Sequence, residues 1–223
     1  MRASGLKLVC ISDTHGDHKN VSLPPGDVLI HAGDLTGHGT KEETFAFFRW
    51  FGMQNYNHKI CVAGNHDTYI EQEPLASQQM ANEEGVVLLN DTGCNVEGVS
   101  IWGSPITPRF LDWSFMRDPG KDIEAHWDLI PVDTDILITH GPAYGVLDEL
   151  DRESGEKEHT GCPSLLKRIE VVQPIFHVFG HIHEDFGRVE HGIVSHCNVS
   201  TMNKQYEISN KAVELLWPKQ PLS

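Results

Sequence analysis

The chain has 223 residues, 39% of them hydrophobic and 22% charged, and a formal net charge of −15. That length can bury one sizeable core, and that hydrophobic content argues against disorder. The acidity argues against a general binder of DNA or RNA, whose phosphates reward Lys and Arg; an anionic substrate would need a local positive source such as bound cations.

In chain order, residues 1–12 hold no apolar stretch long enough for a secretory signal before Asp13 intervenes. No run reaches the roughly 20 apolar residues that span a bilayer, so a cytoplasmic protein without a membrane partner is expected. The five cysteines, at 10, 61, 94, 162 and 197, form no C-x-x-C pair and read as small buried thiols of a reducing compartment.

Short apolar runs of β type recur, and several stop at the same kinds of residue. "LKLVCISDTH" (6–15) runs into Asp13 and His15, and "DVLIHAGD" (27–34) into Asp34. "KEETFAFFRWF" (41–51) reads as a helix, with early acidic residues and one apolar face. "KICVAGNHD" (59–67) runs into Asn65, His66 and Asp67, and a second helix is expected over 73–85, where Gly85 suits a stop. Segment 93–105 reads as a β-hairpin or meander with Gly turns. "DILITHG" (135–141) runs into His140. The charged, turn-rich stretch 149–163 reads as a surface loop, and 162–172 as a helix opened by Pro163. "IFHVFGHIH" (175–183) runs into His181 and His183, and 188–200 reads as a second hairpin. Strand and helix alternate without a linker or low-complexity tract, which predicts an α/β chain, 1–223 as one domain, with more antiparallel content late. Functional groups of open α/β sheets gather at the carboxyl ends of strands, and here five such ends carry Asp, Asn or His.

Carboxylate, amide oxygen and imidazole all suit divalent first-row metals, and no thiolate is needed. Any one of these dipeptides alone is an ordinary turn; their conjunction in one chain, each after an apolar run, predicts a shared metal site.

The series "SDTH" (12–15), "AGD" (32–34), "GNHD" (64–67), "TH" (139–140) and "GHIH" (180–183) resembles the calcineurin-like metallophosphoesterase superfamily. "WGSPITPRFLDWSF" (102–115), "TGCPSLL" (160–166) and "HVFGHIHE" (177–184) resemble its small metallophosphoesterase-domain-containing subgroup. Some members of that subgroup carry glycine at the first histidine of G-H-x-H and lose activity; this chain keeps His181. The resemblance implies a four-layer αββα sandwich of two mixed sheets flanked by helices. It implies two divalent transition-metal ions (Mn, Fe, Zn or Ni, with Mn favoured). One would be held by Asp13, His15, Asp34 and His183, the other by Asp34, Asn65, His140 and His181. Two such cations about 3.5–4 Å apart acidify water and clamp an in-line displacement on phosphorus.

"GNHD" with its histidine retained is also similar to the class III cyclic nucleotide phosphodiesterases. The resemblance therefore implies hydrolysis of a small phosphodiester such as a cyclic nucleotide, with Asp34 and His66 catalytic and His66 as general acid. Asn65, His66, His38 and Arg109 are candidate substrate contacts, and His18 a further pocket residue. Asp17 and Glu184 are placed outside the ligand set. Related Ser/Thr phosphatases orient the histidine with an Asp where this chain has Gly37, so Asp67 or a water would have to substitute. The other reading is a nucleotide-binding or scaffold protein with vestigial hydrolysis. No nucleic-acid polymer is expected as partner, and oligomeric state and substrate stay open.

Overall fold

The computed structural model describes residues 5–151 and 155–217. Strands β1 (Lys7–Ile11), β2 (Val28–Ala32), β3 (His58–Val62) and β4 (Val87–Leu89) pair in parallel. Helix α1 (Lys41–Gly52) connects β2 to β3, and α2 (Thr68–Gln72) and α3 (Pro74–Glu83) connect β3 to β4. The short α2 was not expected; helix α3 after it answers the helix expected over 73–85, with Pro74 in its first turn, where proline is favoured. Gly85, at φ +66°, follows its end.

Strands β5 (Thr92–Val96) and β6 (Val99–Ser104) form the first expected hairpin. The two-residue strands β7 (Thr107–Pro108) and β8 (Met116–Arg117) bracket a loop, and α4 (Lys121–Trp127), which no sequence pattern announced, leads to β9 (Ile136–Thr139). Segment 149–163 departs from the expected loop. Its described residues include an antiparallel pair, β10 (Glu149–Asp151) and β11 (Lys157–His159). Their polar side chains gave no alternation to read. Then come α5 (Pro163–Val172), β12 (Phe176–Phe179), the second expected hairpin β13 (Gly187–His191) and β14 (Val194–Asn198), and finally β15 (Val213–Leu216), antiparallel to β1.

The first sheet has the order β15-β1-β2-β3-β4 and the second β13-β14-β12-β9-β6-β5. Alternation along each strand sets the layers. Leu8, Cys10, Val28, Ile30, Ile60 and Val62 meet Ile101, Ile136, Ile138, Val178 and Cys197 in an apolar cluster between the sheets. The intervening Val9, Leu29 and Cys61 join Phe47, Phe48 and Phe51 of α1 in another, and Leu137 and Phe179 join Leu165 and Ile169 of α5. Both faces of each sheet are covered, giving four layers, αββα. Each fully buried phenylalanine of α1 contributes roughly 2–3 kcal/mol through area removed from water. Thr40 caps that helix in a reciprocal box with Glu43. No helix among the described residues is long and apolar enough to cross a membrane.

Candidate metal centre

Five parallel strands deliver their carboxyl ends to one place. Asp13 and His15 follow β1, Asp34 follows β2, and Asn65 and His66 follow β3; from the other sheet His140 follows β9, and His181 and His183 follow β12. Backbone hydrogen bonds tie these ends together: Asp13 N donates to Gly33 O at 2.9 Å and Gly180 N to His140 O at 2.9 Å. Asp13, His15, Asp34 and His181 all adopt positive φ, between 42° and 71°. Non-glycine residues sit there at a cost of about 1–3 kcal/mol each, and such strain concentrates at functional sites.

Two glycines are sterically required. A Cβ on Gly64 would stand 2.3 Å from Asp34 Oδ1, and one on Gly180 would stand 2.1 Å from Asp13 Oδ2.

The donor set converges. Ligand atoms of Asp13, His15 and His183 lie within 4.8 Å of one another, and so do those of Asp34, His140 and His181. His140 Nδ1 lies 3.0 Å from the Ala32 carbonyl and His183 Nδ1 3.1 Å from the Asn203 carbonyl. A carbonyl only accepts, so both Nδ1 atoms carry a hydrogen, and Nε2 is the atom each ring turns toward the cluster. His140 Nε2 then faces Asn65 Oδ1 at 2.9 Å and Asp34 Oδ1 at 3.4 Å. His183 Nε2 faces His15 Nε2 at 3.2 Å and Asp13 Oδ1 at 3.5 Å. Carboxylate oxygens, an amide oxygen and imidazole Nε2 atoms crowded together are a donor set that suits a divalent cation. Serine hydroxyls of Ser12 and Ser200 and the His181 amide also donate to Asp13, fixing its carboxylate.

The buried carboxylates draw positive charge to these same atoms. Burial opposes charge on His140, but the Asp34 carboxylate more than offsets it and holds the ring up at about 9. Burial likewise opposes charge on His183, and Asp13 raises it to about 8. Burial, with the charge of His140, pushes His181 down to about 3. Burial works to raise Asp34, yet His140, His15 and His66 draw its carboxyl well below the usual range.

The other candidates separate. His66 Nδ1 donates to Gly37 O at 2.9 Å, so the residue standing in place of an orienting Asp does the orienting with its own carbonyl. Asp67 does not take that role: buried, it accepts from Leu35 N, Thr36 N and Gly64 N and holds the loops. Burial and the Asp34 charge raise it to about 6. His38 borders a polar cavity beside His66, but its ring is mostly exposed and paired with Glu43 at 3.2 Å. Arg109 lines the cavity over the cluster, with its guanidinium taken by Asp118 at 2.7 Å, Asp112 at 3.4 Å and Met116 O at 3.3 Å. His18 is no pocket residue; it is buried against Phe47 and Trp50. Asp17 and Glu184 are exposed. Tyr206, 5.0 Å ring to ring from both His15 and His183, was missed because its polar loop carries no periodicity. Phe110 and Trp113 stand in the stretch quoted for the subgroup, with no role read from their types.

The calcineurin-like phosphoesterase family model matches residues 6–185. The UPF0046 protein K07C11.7 of Caenorhabditis elegans is 36% identical over 98% of this chain and 77% of its own length. Metallophosphoesterase domain-containing protein 1 of Homo sapiens is 36% identical over 95% of this chain and 71% of its own. Among solved structures, the phosphopantetheinyl hydrolase of Mycobacterium tuberculosis shares the fold with a TM-score of 0.60 and 17% identity, covering 91% of this chain and 92% of that one. Motifs, layers and relatives agree, and the chain belongs to the calcineurin-like phosphoesterase family, among the metallophosphoesterase domain-containing proteins.

Proposed function

We propose that the chain hydrolyses a small phosphodiester of the nucleotide class, a cyclic nucleotide being its compact example, with His66 protonating the departing oxygen. Family membership makes it a metal-dependent phosphoesterase and implies two divalent ions. The diester preference, the ligand assignment and the role of His66 are the added reading.

The observation that carries it is the set of the His66 ring. Its Nδ1–H is committed to Gly37, which leaves Nε2 as the atom that can hold and give a proton. The ring stands edge-on to His15 and to Trp113, each 4.4 Å away between centroids, so it is held from two sides. Its amide donates to Asp34 Oδ1 at 2.9 Å, fixing the loop to the cluster. A positioned acid matters most for an alkoxide leaving group, as in a ribose ester.

Asp13, His15, Asp34 and His183 would hold one ion, and Asp34, Asn65, His140 and His181 the other. Bound there, two cations supply neutralisation of the phosphate charge and acidification of water. Mn²⁺ is the first choice, with Fe, Zn and Ni compatible with the same donors. Asn65 turns Oδ1 toward His140, which leaves Nδ2 as the donor available to a phosphate oxygen. Four free cysteines that are buried and one that is half-buried fit a reducing, cytoplasmic setting.

A panel of mono- and diesters with Mn²⁺-loaded protein tests the reading. It requires kcat/KM for bis-p-nitrophenyl phosphate to exceed that for p-nitrophenyl phosphate by about tenfold, the scale at which one site discriminates two substrates. A metal-loaded protein that binds nucleotides and turns over nothing would instead be the vestigial scaffold.

A further inference from the structure

We infer that the preferred diester is acyclic and unlike at its two ends: an aromatic or apolar group stays on phosphorus, and a polar, non-anionic alcohol leaves. This rests on the diesterase reading above.

Two cavities meet at the His66–Trp113 pair, which both of them share together with Asn65. The first, of about 550 Å³, opens on Asp34, His181 and His183. Its wall carries Phe110, 5.5 Å ring to ring from His181, and Tyr206, 5.0 Å from His15 and His183. Phe110 is 54% exposed, Trp113 42% and Tyr206 56%. Aromatic side chains left open around a polar centre mark a binding surface rather than unfilled core.

The second cavity, of about 470 Å³, is of opposite character. Its lining beyond the shared residues is polar: His38, Thr68, Glu71, Gln72, Asp112 and Ser114 border it. Glu71 pairs with Arg117 and Asp112 with Arg109, each at 3.4 Å, so its carboxylates take up the nearby guanidinium charge. An anionic alcohol would find no free cation among these groups, whereas hydroxyls would find several acceptors.

In-line displacement puts the attacking and departing oxygens on opposite sides of phosphorus. Attack comes from the ligand cluster, on the floor of the first cavity. The departing oxygen then faces His66, at the mouth of the second, and the retained ester runs along the aromatic wall. One water is consumed: its oxygen forms the new P–O bond. The P–O bond to the departing alcohol breaks with its electron pair going to that oxygen, which takes a proton from His66. The water gives up its protons to the site and solvent, and the products are a phosphomonoester and a free alcohol. A cyclic nucleotide carries both ester oxygens on one ribose and cannot place separate groups in the two cavities.

The test uses 2-(1-naphthyl)ethyl glyceryl phosphate, whose two alcohols are of similar leaving ability, with Mn²⁺-loaded protein. Release of glycerol over naphthylethanol by about tenfold is expected, the range one pocket contact can discriminate, together with a higher kcat/KM than for 3′,5′-cyclic AMP. Trp113→Ala, which joins the two cavities at an exposed position, should bring the release ratio near one. A readout free of turnover is equilibrium binding of 2-(1-naphthyl)ethyl phosphate, followed by tryptophan fluorescence. Phe110→Ala should weaken it about fivefold, the scale of one lost aromatic contact. Equal or reversed alcohol release, preference for the cyclic nucleotide, or unchanged binding in Phe110→Ala would overturn the inference while bis-p-nitrophenyl phosphate is still hydrolysed. If neither diester is hydrolysed, the diesterase reading has failed and the inference falls with it.

Discussion

The His66 ring gives its Nδ1–H to the carbonyl oxygen of Gly37, 2.9 Å away. The backbone thus does what a carboxylate does elsewhere, and without adding negative charge beside a chain that already carries −15. A neutral acceptor still fixes the tautomer, and it leaves Nε2 as the ring atom turned toward the cluster.

His66→Ala should therefore cost most where the leaving group is poor. A ribose or glycerol ester should lose about 10²–10⁴-fold in kcat, and bis-p-nitrophenyl phosphate markedly less, because p-nitrophenolate departs without help. Metal content measured by mass spectrometry should equal that of the parent protein. Equal losses on both substrates would reduce His66 to electrostatic stabilisation.

Asp34 turns one carboxylate oxygen toward each histidine group, Oδ2 3.7 Å from His15 Nε2 and Oδ1 3.4 Å from His140 Nε2. Asp34→Asn should lower the affinity for both ions and reduce kcat/KM about hundredfold or more. His181→Gly and His183→Ala should instead each remove one ion. A variant Asp34→Asn that binds two ions per chain and turns over at the parent rate would end the shared-ligand assignment.

Gly180→Ala tests the packing beneath the cluster. Its Cβ would fall 2.1 Å from both Asp13 Oδ2 and Ser12 Oγ, so either the carboxylate or the strand end must move. Overpacking of this kind costs about 1–3 kcal/mol, and a lower melting temperature should accompany loss of the ion that Asp13 would hold. Unchanged melting and metal stoichiometry would mean that the loop yields freely.

His18 is buried against Phe47 and Trp50 with neither ring nitrogen hydrogen-bonded. Burial, with a smaller contribution from Lys19, pushes it down to about 4. The unfolded chain takes up this proton near pH 6.5 and the folded chain does not, so the contribution to stability is whole above about pH 6.5 and is lost toward about pH 4. His18→Phe should flatten the fall in urea midpoint between those limits in metal-free protein. An unaltered slope would place the titration elsewhere.

What the sequence determined by itself was the set of strand ends. Apolar runs that break at Asp, Asn or His need only local information, and so do the helix over 41–51, with its early acidic residues, and the one opened by Pro163. Each metal-binding candidate could be named because its position follows a run of β-branched and apolar residues, and the ladder of a parallel sheet brings such ends to one edge. Other features depended on partners distant along the chain. β15 lines up antiparallel to β1 across some two hundred residues, and nothing in Val213–Leu216 says which edge it joins. Arg109 looks free to bind phosphate until Asp118 and Asp112 are folded against it. His18 looks like a neighbour of His15 until the short turn that contains it sends it into α1 instead. Tyr206 and Asn203 come to the ligand cluster from a polar loop without pattern, and only tertiary structure places a carbonyl behind His183 or a ring beside His15. Periodicity records which face a residue buries; which distant group it meets there is settled by packing, because contacts between elements are set by geometry that no local run of residues encodes.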